Sequence, residues 1–265
     1  MQNSVSTRRT SLPPFAARST WWHGLRYINR FGVKGGLQAA RVHRRSTEPV
    51  AVRLPELPHP LWIRPGTSDV ATFQEVFVAR EYDLPLPEFS PRHILDLGAN
   101  IGCASVLFAA RWPEAAILAV EPVRENVELL KRNTGPYGSI QAIRAAVWSR
   151  PAELAIENPA DAANAFRMSE QAKGGGERIP ACTIAQLIAR LGCAHLDLLK
   201  MDVEGAEAEI FHGPGDWLDC VQVMMVELHD RLVPGCAEAL YTALRGRRFK
   251  QEIVGQNLLI DLRAA

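Results

Sequence analysis

The stretch from His93 to Glu121 constrains the fold more than any other part of the sequence. An apolar run over 93–97, too short for a helix, meets a turn that holds Gly98 and Gly102, and a helix-forming run over 103–112 follows directly. A second apolar run, 116–120, ends on the acidic Glu121. The pattern predicts a strand, a tight turn, a helix and a parallel strand, with a carboxylate at the tip of the second strand.

Such a unit favours a ligand that carries a nucleoside. Gly98 and Gly102 allow a sharp turn and a close approach to main-chain N–H groups, and the helix that begins near Cys103 adds the positive end of its dipole. Glu121 follows Asp96 by 25 residues and can accept hydrogen bonds from a ribose diol.

The spacing within the turn argues against a nicotinamide dinucleotide. The dinucleotide fingerprint has glycine at the first, third and sixth positions of the turn, which here are Gly98, Asn100 and Cys103. Asn100 tolerates a left-handed backbone, but its side chain would crowd a pyrophosphate. The string Asp-Leu-Gly-Ala-Asn-Ile-Gly, from Asp96 to Gly102, instead resembles the first motif of S-adenosylmethionine-dependent methyltransferases, in the form found in the FkbM family.

The resemblance extends over about residues 60–262. Further strings match in the family's order: Glu-Pro at 121–122, Leu-Lys-Arg-Asn at 130–133, Lys-Met-Asp-Val-Glu-Gly-Ala-Glu at 200–207 and Val-Glu-Leu-His at 226–229. Membership would imply transfer of a methyl group from S-adenosylmethionine to a hydroxyl of a sugar, a glycan or a natural-product small molecule. The cofactor-binding residues that the resemblance implies are Asp96, Gly98, Asn100, Gly102 and Glu121, with Ala145 and Ala146 framing the adenine.

The remaining motifs predict the part of the site that would bind the methyl acceptor. In open α/β sheets ligands lie beyond the carboxyl ends of the strands, where Asp202, Glu204, Glu227 and His229 would converge. The resemblance places Asp202, Glu204 and His229 toward the substrate, and we add Glu227 to the substrate-binding residues. His229 is the candidate general base, and Asp202 would orient it, bind substrate or hold a divalent cation.

A structural alternative exists for the same acidic residues. Asp202 would cap the helix that follows, and the carboxylate of Glu207 would interact favourably with the positive end of that helix's dipole. Oxygen ligands at one rim suit Mg²⁺ without requiring it, so no metal site is assigned.

The order of apolar runs predicts a fold of the α/β class. Strands alternate with helices and the chain closes with a hairpin through Gly255, which predicts a doubly wound, mostly parallel, Rossmann-like sheet with an antiparallel C-terminal strand. This is the class I methyltransferase layout. Residues 51–265 would form this domain, with a strand–helix extension at 51–90, and residues 1–50 a basic N-terminal arm.

Two segments leave alternatives open. In the extension, Ser68 or Asp69 would cap a helix, or would join Arg64 in touching cofactor or substrate, and capping is favoured. The loop at 157–177 is long enough for a lid over the substrate.

The arm is set apart by its charge. Nine Arg or Lys and no acidic residue precede Glu48, which leaves 21 basic against 29 acidic residues from Glu48 onward. The arm could be a transit peptide, a segment that binds nucleic acid or anionic lipid, or a poorly ordered tail with a short docked helix. Trp21, Trp22, Tyr27 and Phe31 suggest an apolar stripe that faces the body or a membrane surface.

The five cysteines form no CxxC pair, which favours a reducing cytoplasm and no zinc site, and no apolar run is long enough for a membrane span.

Two rival functions remain: an NAD-dependent oxidoreductase, and a non-catalytic module whose arm binds nucleic acid or anionic lipid. For the methyltransferase itself we expect no nucleic-acid partner. The identity of the acceptor and the oligomeric state cannot be predicted from the sequence.

Overall fold

A central sheet of seven strands organises the molecule. The computed structural model describes residues 20–86, 88–156, 168–170 and 177–263, and side chains from residue 24 onward. The strands are β1 (Val50–Val52), β2 (Leu61–Ile63), β3 (His93–Leu97), β4 (Ala116–Glu121), β5 (Ile140–Arg144), β6 (Ala146–Val147), β7 (Ala152–Ile156), β8 (Met168–Ser169), β9 (Ile179–Cys182), β10 (Leu196–Met201), β11 (Val221–Glu227), β12 (Lys250–Val254) and β13 (Asn257–Asp261). The seven-stranded sheet has the order β12-β13-β11-β10-β3-β4-β5.

The predicted doubly wound architecture is confirmed. Strands β11, β10, β3, β4 and β5 run parallel, whereas β13 runs antiparallel to β11 and pairs with β12 as the closing hairpin. The order of the parallel strands reverses beside β3, so the switch point of the sheet lies at the turn that holds Gly98.

Helices cover both faces of this sheet. They are α1 (Thr20–Ala39), α2 (Asp69–Phe73), α3 (Cys103–Arg111), α4 (Arg124–Thr134), α5 (Ile184–Leu191), α6 (Glu207–His212) and α7 (Cys236–Ala243). Because successive strand residues point to opposite faces, Ile94 packs in one hydrophobic cluster and Leu95 in the other. Thr183 caps α5 in a capping box with Gln186.

The N-terminal helix packs on the body of the domain. Tyr27 and Phe31 are buried, and their rings lie 5.9 and 6.4 Å from the ring of Phe73. Helix α1 is bent at Gly32, whose backbone is left-handed (φ 69°). Residues 1–19 of the predicted arm, and the side chains of Trp21 and Trp22, lie outside the described residues.

The predicted lid lies almost entirely outside the described residues, which resume at β8 and at Glu177. Among the helices of the described ranges, none has the length and apolar character needed to cross a membrane.

The capping role predicted for Ser68 or Asp69 is wrong. The Ser68 side chain makes no capping hydrogen bond to α2, and the Asp69 carboxylate accepts hydrogen bonds from the backbone and the guanidinium of Arg64. The hydroxyl of Thr67 accepts from the Asp69 N–H instead. Asp69 is fully buried and forms an ion pair with the partly exposed guanidinium of Arg64.

Candidate functional site

A cleft opens at the carboxyl ends of the parallel strands. It encloses about 1200 Å³ of space, part of it open to solvent, and runs from Glu121 past Gly98 to His229. Of the predicted site residues, those that line it are Gly98, Asn100, Glu121, Ala145, Ala146, Asp202, Glu204, Glu227 and His229. Asp96 and Gly102 do not line it.

The turn after β3 shows what each glycine does. A Cβ built on Gly98 would lie 1.7 Å from the carbonyl oxygen of Asp202, so only glycine allows β3 and β10 to come this close as they leave the sheet. Gly102 instead packs on α4, where a Cβ would lie 2.8 Å from Leu130 Cδ1. Asn100 takes the left-handed conformation that the sequence predicts (φ 49°).

Glu121 lies beside this turn and is only 4% exposed. Its carboxylate accepts hydrogen bonds from the Asn100 N–H (2.9 Å), the Val123 N–H (3.0 Å) and Asn126 Nδ2 (3.2 Å). Burial raises the pKa of Glu121 to about 7, although these hydrogen bonds oppose the shift. The turn therefore contacts the carboxylate at the tip of β4 directly.

A chain of polar side chains supports Glu121 from outside the cleft. Asn126, which donates to Glu121, accepts a hydrogen bond from Arg64 Nη2 (2.6 Å), and Arg64 is held by the buried Asp69 (2.7 Å). From the sequence, Asp69 was expected to cap a helix or to contact a ligand together with Arg64. The structure instead makes them a support for the carboxylate that faces the cleft.

Asp96 lies beneath the floor of the cleft. It is fully buried, accepts a hydrogen bond from Ser105 Oγ (2.5 Å) and lies 3.2 Å from Lys200 Nζ. The ammonium of Lys200 also donates to the carbonyl oxygen of Gly98 (2.8 Å). Asp96 thus acts on the turn through Lys200, and a direct contact with a cofactor is not what this geometry favours.

Carboxylates surround His229 at the other end of the cleft. The His229 side chain is 3% exposed, and its Nε2 lies 3.5 Å from Glu204 Oε2, 3.6 Å from Glu227 Oε1 and 3.7 Å from Asp202 Oδ1. Burial lowers the pKa of His229, but Glu207, Glu204 and Asp202 together raise it to about 9. Burial and the charge of Asp202 raise the pKa of Glu204 to about 8 and that of Glu227 to about 7.

Glu207 orients this histidine. Its carboxylate is fully buried, and its Oε1 accepts a hydrogen bond from His229 Nδ1 at 2.8 Å. From the sequence, Glu207 was expected only to interact with the dipole of the helix that follows Asp202. Because the hydrogen bond fixes Nδ1, the other ring nitrogen, Nε2, is directed at the three carboxylates.

The capping role considered for Asp202 is wrong. Helix α6 begins only at Glu207, after Glu204 and Gly205 take left-handed conformations (φ 53° and 98°), and its N-cap is Ala206. Asp202 therefore cannot reach the first turn of the helix as a cap, and its side chain lines the cleft.

Residues from the extension at 51–90 complete the cleft, and the sequence analysis did not name them. Thr72, Glu75 and Tyr82 line it, and the Thr72 hydroxyl accepts a hydrogen bond from Asn100 Nδ2 (3.2 Å). Tyr82 is 6% exposed, and its hydroxyl has no hydrogen-bond partner among the described residues. No motif marks Tyr82, because its position in the cleft follows only from the packing of this extension.

The comparison with known families agrees with this geometry. Residues 96–245 match the family model described as the methyltransferase FkbM domain. The chain belongs to the FkbM methyltransferases. Methyltransferases of this fold typically use S-adenosylmethionine, and the FkbM match confirms that the chain is a methyltransferase.

Named relatives share parts of the chain. The AMB antimetabolite synthetase AmbE of Pseudomonas aeruginosa is 30% identical over 232 residues, and the match covers 71% of this chain but only 11% of AmbE. Methyltransferase 1 of Beauveria bassiana is 29% identical over 182 residues, which are 59% of this chain and 72% of that protein. Among solved structures, the FkbM methyltransferase from Methylobacillus flagellatus is 13% identical with a TM-score of 0.46, covering 91% of this chain and 57% of that one.

Proposed function

We propose that this FkbM methyltransferase transfers a methyl group from S-adenosylmethionine to a hydroxyl of a sugar, a glycan or another natural-product small molecule. One observation carries the proposal: the buried carboxylate of Glu121 accepts from the N–H of Asn100 in the glycine turn, on the wall of a cleft that continues to His229. A nucleoside bound at Glu121 would extend its reactive end toward Asp202 and His229.

The residues near Glu121 fit the adenosine part of this cofactor. An ionised carboxylate has about four acceptor sites, and three are used by Asn100, Val123 and Asn126, which leaves one for a ribose hydroxyl. Asn100 Oδ1 is buried and has no hydrogen-bond partner within the described ranges, so it is available to a donor on the ligand. Ala145 and Ala146 present small side chains to the same part of the cleft.

The opposite end of the cleft would hold the acceptor. In the reaction, the acceptor oxygen forms a bond to the methyl carbon, the carbon–sulfur bond breaks, and the electron pair of that bond stays on sulfur. Much of the rate can come from holding oxygen and carbon in line at near-attack distance. The hydroxyl proton leaves toward the cluster of His229, Asp202, Glu204 and Glu227, which borders this space.

The charge of this end restricts the acceptor. Four carboxyl groups line the cleft, those of Glu75, Asp202, Glu204 and Glu227. Of the two cations that line it, Lys200 is engaged by Asp96 and the Gly98 carbonyl, and Arg231 is exposed. A phosphorylated or carboxylated group would meet like charge here, so a neutral polyol fits better. The reducing, cytoplasmic location expected from the cysteines remains part of this proposal.

Isothermal titration with S-adenosylhomocysteine tests the proposal. We expect saturable binding that Glu121→Ala weakens by at least about tenfold, because the ribose loses a charged hydrogen-bond partner. Glu125→Ala removes an exposed carboxylate nearby on α4 and should change the affinity less than about twofold. A thermal shift with NADH and none with S-adenosylmethionine would instead favour the oxidoreductase.

A further inference from the structure

We infer that Asp202, Glu227 and His229 bind a divalent cation, of a kind that accepts both imidazole nitrogen and carboxylate oxygen, such as Mn²⁺. The role of the cation rests on the proposed function, because it would hold the acceptor hydroxyl beside the methyl donor. Its binding can be tested without any methyl transfer.

The spacing of the three side chains fits one ion. One ligand atom from each residue can be chosen so that all lie within 4.8 Å of one another. A cation bound at about 2.1 to 2.4 Å holds two opposite ligands roughly 4.2 to 4.8 Å apart, and adjacent ligands closer together. Glu204 Oε2, at 3.5 Å from His229 Nε2, lies at the edge of the same group.

The histidine has the environment of a metal ligand. Metal-binding histidines usually donate their second ring N–H to a carboxylate, which fixes the ring and directs the free nitrogen at the ion. The buried Glu207 accepts from Nδ1 at 2.8 Å, and Nε2 has no hydrogen bond among the described residues. Nε2 therefore points into the group of carboxylate oxygens.

Tyr82 is a second, independent indication of a ligand. Tyr82 is 6% exposed and lines the same cleft, and its hydroxyl has no hydrogen-bond partner in the described part of the chain. A hydroxyl that faces a cleft and lacks a protein partner takes its hydrogen bond from bound water or from a ligand. A water or a substrate oxygen on the cation would give this hydroxyl its partner.

The ligand chemistry selects the kind of ion. Oxygen-only sites suit Mg²⁺ and Ca²⁺, whereas imidazole favours transition metals, and a set with one nitrogen and two or three carboxylates suits Mn²⁺ or its neighbours. The nearby ammonium of Lys200 does not take this place: it lies 3.8 Å from Asp202 Oδ2 but 2.8 Å from the Gly98 carbonyl oxygen.

The test is a titration of the full chain with Mn²⁺ in the absence of cofactor, followed by calorimetry and by electron paramagnetic resonance. We expect one site, and a pulsed spectrum in which the Mn²⁺ signal carries coupling to a nitrogen nucleus. His229→Gln should abolish that coupling, and His229→Gln and Asp202→Asn should each weaken binding at least about tenfold. Glu207→Gln, which removes only the support of the ring, should weaken it about 10- to 100-fold.

Glu114→Gln is the matched control, since it removes an exposed carboxylate from the turn before β4, at the edge of the sheet opposite the cleft, and it should change Mn²⁺ affinity less than about twofold. Circular dichroism checks that each variant folds. Absence of Mn²⁺ binding to the folded wild-type chain, binding unchanged by both His229→Gln and Asp202→Asn, or a spectrum without nitrogen coupling would overturn the inference.

The titration with S-adenosylhomocysteine separates this inference from the proposed function. If Mn²⁺ binds as expected while S-adenosylhomocysteine does not, the metal site stands and the proposed function fails. If S-adenosylhomocysteine binds and Mn²⁺ does not, the metal site fails and the proposed function stands.

Discussion

At the end of the cleft near Glu121 the polar side chains bind one another, whereas at the other end three carboxyl groups face His229 Nε2 without forming hydrogen bonds to it. Asp69, Arg64, Asn126 and Glu121 form a continuous chain with contacts of 2.6 to 3.2 Å. Around His229 Nε2, three carboxylates stand at 3.5 to 3.7 Å.

The difference shows which end is complete without a ligand. The side chains near Glu121 already satisfy most of one another's hydrogen bonds, so this end is preorganised for its ligand. The end near His229 brings three carboxyl groups around Nε2, which makes no hydrogen bond among the described residues, so a bound group contributes more to the order of this end. The two ends should respond differently to substitution, to pH and to added ligand.

The largest effect on stability is expected at Gly98, which lies between the two ends of the cleft. Gly98→Ala would place a Cβ against the Asp202 carbonyl oxygen and force alanine into a left-handed backbone (φ 70°). We expect a loss of about 4 kcal/mol in the free energy of unfolding, measured in urea. Gly138→Ala, where a Cβ meets no atom within 4 Å, is the control and should change stability by less than about 0.5 kcal/mol. A small loss of stability for Gly98→Ala would mean that the carboxyl ends of β3 and β10 can move apart at little cost.

The next effect concerns the support behind Glu121. Asp69→Ala leaves the guanidinium of Arg64 without its buried partner, so we expect a loss of about 3 kcal/mol in urea unfolding and weaker binding of S-adenosylhomocysteine. Asp83→Ala breaks ion pairs to the more exposed Arg80 and Arg111 and should cost at most about 1 kcal/mol. Equal losses for the two variants would contradict the view that the chain of contacts supports the site.

A smaller effect should appear in the pH dependence of cofactor binding. Because burial raises the pKa of Glu121 to about 7, this carboxyl is protonated below that pH and becomes a full hydrogen-bond acceptor above it. The affinity for S-adenosylhomocysteine should therefore rise with pH, by up to about tenfold between about pH 6 and pH 8.

Glu121→Gln, titrated under the same conditions, should remove most of this rise because glutamine does not ionise in this range. A slope that persists in Glu121→Gln would assign the pH dependence to groups at the other end of the cleft.

The smallest effect on stability is expected for Tyr82→Phe. The hydroxyl that it removes has no hydrogen-bond partner among the described residues, so urea unfolding should change by less than about 0.5 kcal/mol. If the hydroxyl meets a ligand, kcat/KM for the acceptor should nevertheless fall by about tenfold. A loss of stability without a loss of activity would give Tyr82 a purely structural role.

The sequence predicted the residues whose positions follow from local pattern. The strand, glycine turn, helix and second strand over 93–121 are contiguous, so Glu121 was expected to serve the same ligand as the turn, and the structure adds its hydrogen bond from the Asn100 N–H. Likewise, Asp202 and His229 follow parallel strands, and parallel strands bring their carboxyl ends to one edge.

Roles that depend on contacts between distant segments were missed. The carboxylate of Asp69 resembles a cap in sequence, but its neighbour Arg64 reaches Asn126, which is 62 residues further along the chain. Glu207 forms a hydrogen bond with His229, which lies 22 residues further along the chain and follows a different strand. Asp202 resembled a cap because the sequence does not reveal that Glu204 takes a left-handed backbone and delays the helix.

The closeness of Gly98 to the Asp202 carbonyl oxygen also affects how such an enzyme can diversify. The spacing of β3 and β10 at the cleft is set there by main chain alone, so a lining side chain outside the proposed cation ligands, such as Glu75, can vary without altering it. New acceptors could then be acquired by ordinary point mutations at the rim, while the handling of the methyl donor is inherited unchanged.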